Sequence, residues 1–150
     1  MERKVIFLPT DFFVDVYIRV KEMREIFYRL GALFYEDMKQ NKLSEILLSI
    51  YRCGWGRFQI LWYSENRIVI KGISVFAKQL RKYHGIQKSP VDDFILGVLD
   101  SWAEKNNLRI KFREIECIAI GSERCVFVGE TPRPKHAIIE LRHKIKGCMI

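Results

Sequence analysis

The chain has 150 residues, 49% of them hydrophobic and 29% charged, which is the make-up of one globular domain with a real core. No apolar run reaches the length that spans a bilayer, and the stretch Val5 to Leu8 is too short for an export signal, which points to the cytoplasm. The formal charge of +8 admits nucleic acid or an anionic membrane surface as a partner, but basic charge spread over a surface is first a solubilising feature, so nucleic acid is not the preferred partner.

Val5 to Leu8 is a short apolar run stopped by Pro9, a strand or an extended arm. Thr10 or Asp11 offers an N-cap, and no proline follows before Lys42. Met23, Ile26, Phe27, Leu30, Phe34 and Met38 recur at steps of three and four, a helical stripe. Gly31 within it marks either a break into two helices or a close helix contact. Leu43, Ile46, Leu47 and Ile50 predict a short helix, stopped by Cys53-Gly54-Trp55-Gly56.

A hairpin comes next. Phe58, Ile60 and Trp62 alternate with Arg57, Gln59 and Leu61, Ser64-Glu65-Asn66 reads as the turn, and Ile68 and Ile70 continue the apolar face. Residues 74–83 are weakly helical, and 84–90 form a loop. Asp92 or Asp93 then starts a helix carrying Phe94, Ile95, Val98, Leu99 and Trp102. Strands are expected at 57–63, 67–72, 108–116 and 124–128, in one antiparallel sheet. A basic helix at about 135–147, with Ile138, Leu141 and Ile145 on one side, closes the chain. Its stripe and that of the first long helix exceed what one sheet face can cover, which suggests a homodimer.

The stretch from Leu108 to Phe127 carries the most chemistry. Leu108, Ile110 and Phe112 share one strand face, and Arg109, Lys111 and Arg113 the other. Glu114 falls on the apolar parity, where a lone carboxylate is costly to bury. Cys117 follows three residues later, and Cys125 eight after that, across Gly121-Ser122-Glu123-Arg124. A carboxylate and two thiols around such a knuckle are candidate zinc ligands. The plainer alternative is that both cysteines are small buried hydrophobes and that Glu114 turns outward at a bulge. Cysteines in the cytoplasm are expected to be free, metal-bound or redox-active rather than a disulfide framework.

No phosphate loop, dinucleotide fingerprint or HExxH motif is present, and His84, His136 and His143 stand beside no evident nucleophile. A binding module is favoured over an enzyme.

Three stretches together resemble the vinyl-4-reductase domain family. They are the Gly54-Trp55-Gly56 turn into a hairpin, the helix start Asp92-Asp93-Phe94-Ile95-Leu96-Gly97, and the ending Glu114-x-x-Cys117 to Gly121 to Cys125-x-Phe127, which is the specific one. The resemblance covers roughly residues 12–129. It implies an α+β fold, an antiparallel sheet packed with helices, related to subunits of the TRAPP vesicle-tethering complex and to haem NO-binding domains. It implies a small-molecule sensor, of a kind sometimes joined to a transcription regulator that answers to aromatic compounds.

The resemblance also implies zinc, held by one glutamate and three cysteines. Glu114, Cys117 and Cys125 match three of these, and Asp92 stands where the fourth should be a cysteine, with Asp93 or water as alternatives. A pocket is implied between sheet and helices, floored by Phe58, Ile60, Trp62, Ile110 and Phe112, with Phe94, Leu96, Phe27 or Phe34 above. Phe58, Trp62, Leu96 and Phe112 are the ligand-binding candidates, against the alternative of a closed core. The expectation is a single domain sensing a hydrophobic or aromatic molecule, with its output passed to a partner. The alternatives are a redox sensor built on Cys117 and Cys125, or an accessory reductase-like protein of tetrapyrrole metabolism.

Overall fold

The computed structural model describes residues 9–132. The expected apolar arm at 5–8 and basic helix at 135–147 lie outside them. The described chain runs α1 (Thr10–Arg19), α2 (Met23–Met38), α3 (Leu43–Arg52), β1 (Gly56–Tyr63), β2 (Arg67–Ser74), α4 (Val75–His84), α5 (Asp93–Lys105), β3 (Lys111–Glu116) and β4 (Cys125–Glu130). Among these residues no helix is long and apolar enough to cross a membrane.

The four strands form one antiparallel sheet in the order β1-β2-β4-β3. The fold is α+β, as expected. Register aligns Ile70 with Ile60 on one side and Phe127 on the other, and Phe127 with Glu114. One face therefore carries Phe58, Ile68, Ile70, Phe127 and Phe112 into the core, with Glu114 on the same side. Two bulges interrupt the pattern. One, between Ile60 and Trp62, reverses the parity of the last residues of β1. Trp62 is thus 60% exposed, and its expected place on the pocket floor is corrected by that extra residue. The other, between Glu114 and Glu116, falls one residue too late to turn Glu114 outward, and Ile115 is the exposed residue instead.

The stripe from Met23 to Met38 lies in one unbroken helix, α2, so Gly31 breaks nothing; the chain breaks before it, at Val20, which is extended. Gly31 marks a close contact. A Cβ there would lie 2.0 Å from the Phe94 carbonyl oxygen, and one on Gly97 would lie 1.9 Å from that of Tyr28. Each glycine thus lets α2 and α5 meet backbone to backbone. Beside this crossing Phe13, Tyr17, Phe27, Trp55, Phe76 and Phe94 pack ring on ring, with Trp55 stacked on Phe94 at 3.8 Å between centroids and 8° between planes. Such contacts add about 1 kcal/mol each beyond area burial. Phe27, Phe34 and Phe94 are therefore occupied with one another or with neighbouring rings, which is the closed-core alternative for these three.

Candidate metal centre

Asp92, Glu114, Cys117 and Cys125 converge where the start of α5 meets the ends of β3 and β4. One donor atom from each lies within 4.8 Å of the other three. Local structure explains how each arrives. Glu114 points inward because it keeps the parity of Phe112 ahead of the bulge. Cys117 follows directly on β3 and opens a 3-10 turn over Ile118–Ile120, and Gly121 then takes φ 109°. The turn closes through Ser122 N–H donating to the Cys117 carbonyl at 3.1 Å, which returns the chain to Cys125. The Ile118 amide donates to the Cys125 sulfur at 3.4 Å. Asp92 occupies the N-cap position of α5 but makes no side-chain cap, so its carboxylate is left to face the thiols.

Each carboxylate has one oxygen tied and one bare. Ser74 Oγ donates to Asp92 Oδ1 at 2.5 Å, and the Asp92 amide donates to Glu114 Oε2 at 3.1 Å. Asp92 Oδ2 and Glu114 Oε1 are both sealed from solvent with no hydrogen-bond partner. No ion pair found among the described residues includes either acid. A buried, unpaired carboxylate costs several kcal/mol, so it takes up a proton or finds a cation. Without a cation, burial raises the affinity of Asp92 for its proton. Burial, and then the Asp92 charge, push Glu114 up to about 11. The hydrogen bond between the thiols draws Cys117 down to about 7 and pushes Cys125 up, so one sulfur ionises before the other. Two carboxylates, each with an orphaned oxygen, and two thiols whose donor atoms lie within 4.8 Å of one another fit a divalent cation with an affinity for thiolate. The cluster can hold a metal.

Asp93, the alternative to Asp92, is engaged elsewhere. Its Oδ2 accepts from the Tyr17 hydroxyl at 2.9 Å and from Arg24 Nε at 3.1 Å, and Arg24 also donates to Ser89 Oγ and the Pro90 carbonyl. This latch ties α1 and α2 to the start of α5. Sequence reasoning missed it, and missed Ser74, although a serine between a strand and a helical segment is an N-cap signal.

The ligand-binding candidates are dispersed. Phe58 and Phe112 sit on the two outer strands, with β2 and β4 between them. Leu96 packs against the core from α5, and Trp62 faces solvent. Only Phe58 borders the groove of about 590 Å³ between α3 and β1.

No protein-family model and no curated protein matches the sequence. Solved structures do. The phenol-responsive sensory domain of the transcription activator PoxR, with phenol, matches 94% of this chain and 84% of its own, with TM-score 0.69 and 18% identity. A vinyl-4-reductase family protein from Methanocaldococcus jannaschii matches 87% of this chain and 85% of its own, with TM-score 0.62 and 18% identity. The chain shares their fold. An H-NOX protein from S. oneidensis is more distant, with TM-score 0.51 and 11% identity over 83% of this chain and 74% of that one. The resemblance read from the glycine, aspartate and cysteine stretches therefore holds at the level of fold.

Proposed function

We propose that the chain is a small-molecule sensory domain for a hydrophobic, aromatic ligand, held together by a structural zinc centre. The observation that carries the ligand reading is the groove between α3 and β1, in a fold shared with a phenol-responsive domain. Its volume, about 590 Å³, suits a small ring compound. Leu48, Tyr51, Phe58 and Ile60 give it apolar walls, and Ser44 and Gln59 offer a few polar groups to orient a hydroxyl. Calorimetric titration of the full chain with phenol and a panel of substituted benzenes tests this. Binding should occur and should be lost in Leu48→Glu, which places a charge in the groove at an exposed position that folding tolerates. No binding at millimolar ligand, or binding indifferent to Leu48→Glu, sinks the reading.

Asp92, Glu114, Cys117 and Cys125 would hold the zinc. Four protein donors leave no open position, so zinc would supply cross-linking of α5 to β3 and β4 rather than reactivity. The protein acts as a homodimer in the cytoplasm, and its output goes to a partner such as a transcription regulator. The exposed stripe Ile26, Leu30 and Leu33 on α2 supports the dimer, since these residues recur at steps of four and three on one helix face. Light scattering that returns the monomer mass of 17.8 kDa across a concentration series would count against it.

The facing thiols favour one second reading, a redox sensor. Cys117 and Cys125 would form a disulfide, giving two electrons and two protons to a peroxide that leaves as water. A count of free thiols after mild peroxide, with and without zinc, separates the readings.

A further inference from the structure

We propose that Ser74 is a positioning residue for the metal centre, because its hydroxyl ties up one oxygen of Asp92 and leaves the other without a partner, free to serve as a single donor. The inference rests on the metal reading above and extends it to a residue outside the donor set.

The direction of the Ser74 hydroxyl is fixed by its neighbours. Ser74 is fully buried at the joint of β2 and α4. As the N-cap of α4 its oxygen accepts from the Ala77 amide at 3.0 Å. A hydroxyl has one hydrogen, and with the oxygen already accepting, that hydrogen is free for Asp92 Oδ1 at 2.5 Å. The contact makes Asp92 Oδ1 an acceptor. It leaves Oδ2 bare, and Asp92 is itself 2% exposed, so that oxygen is sealed from bulk solvent. The Asp92 amide repeats the arrangement on Glu114, holding Oε2 and leaving Oε1.

The outcome is four single-atom donors, two oxygens and two sulfurs. An ion that needs six or more oxygens, or both oxygens of one carboxylate, is poorly served by such a set. A four-coordinate ion that accepts thiolate, such as zinc or cobalt(II), is well served. Ser74 thus bears on which ion is taken. The fourth position, filled here by a carboxylate, needs this support because a carboxylate has two oxygens to offer and a thiolate has one sulfur.

The test is titration of the metal-free full chain with cobalt(II) under reducing conditions, followed by absorption. Wild type should show a thiolate-to-cobalt charge-transfer band together with the intense visible bands of four-coordinate cobalt. Ser74→Ala should keep the charge-transfer band and bind cobalt about 10–100-fold more weakly, as loss of an outer-shell partner does. Its visible bands should weaken as Asp92 swings to offer both oxygens. Ser74→Thr keeps the hydroxyl and should restore both affinity and bands. Lys78→Gly loosens α4 by helix propensity without touching Asp92, and should bind cobalt as wild type does. Ser74→Ala with wild-type affinity and bands would mean that Ser74 only caps α4. Lys78→Gly that copies Ser74→Ala, or a folded Ser74→Thr that fails to restore the bands, also overturns the proposal. Wild type with no thiolate band removes the metal reading itself, a result distinct from any that depends on Ser74.

Discussion

Asp92 and Asp93 follow one another at the start of α5, and folding takes both out of water. Asp93 is met by an arginine and a tyrosine hydroxyl from the first two helices. Asp92 meets one serine hydroxyl and shares its pocket with a second carboxylate and two thiols. Asp93 has its cation in the chain and joins elements. Asp92 has no such cation among the described residues, and its cluster could hold one from outside. Burial alone does not separate the two; the groups that face each acid do.

The largest effect expected is on the side of Asp92. Zinc at about a thousand times its Kd should stabilise the protein by about 4 kcal/mol relative to chelator-treated protein. Thermal unfolding with and without chelator reads this. Cys117→Ser should lose both the zinc and the increment, and Cys53→Ser, at an exposed position, should keep both. Equal zinc in Cys117→Ser and wild type, by elemental analysis, breaks the comparison. Asp92→Cys should sharpen it by tightening binding, since thiolate suits zinc better among sulfurs.

Next comes the contrast between the neighbours themselves in chelator-treated protein. Asp93→Ala leaves Arg24 and Tyr17 without their acceptor and should cost about 2 kcal/mol in urea unfolding, a value held down because Arg24 is half exposed. Asp92→Ala should cost about half of that or less, because it also removes a buried oxygen with no partner. Equal losses would make Asp92 as structural as Asp93. Tyr17→Phe removes one of the donors to Asp93 and should cost about 1 kcal/mol.

The gentlest effect is spread over pH. In metal-free protein Glu114 is raised to about 11, so folding favours its neutral form. Its contribution is complete below the ordinary carboxylate range and is lost as pH rises toward that raised value. Metal-free protein should therefore lose stability from about pH 5 upward on this account. Zinc affinity should run the other way and fall as pH drops, because both thiols must lose protons to bind. Unfolding curves and zinc competition across the same pH series give the two slopes, and slopes of one sign would break the contrast.

Much of the fold was legible because periodicity is local. The steps of three and four in α2 and α3, and the alternation in β1 and β2, each lie within one element, whereas the alternation of Leu108, Ile110 and Phe112 begins ahead of β3, which starts only at Lys111. Glu114 on the apolar parity, followed by Cys117 and Cys125, was enough to mark the centre. Strand order was not legible, because the short apolar run of β4 does not say that it lies between β2 and β3. The bulge that exposes Trp62 has no Gly or Pro beside it, at residues 60–62, to announce it. The α1–α2 break likewise falls at Val20, with no breaker residue. The choice between Asp92 and Asp93 was hidden for another reason. It depends on Arg24 and Ser74, which lie 69 and 18 residues from their partners.

The crossing of α2 and α5 has a consequence for descent. The two glycines do not oppose each other: Gly31 faces the backbone of Phe94, and Gly97 faces that of Tyr28. A side chain gained at one position cannot be accommodated by a change at the other, since both obstacles are carbonyl groups common to every residue type. The joint is thus two separate one-way restrictions rather than a tradable pair. Drift can rewrite the rings and the groove around it, while at these two positions a lineage that keeps this crossing keeps glycine.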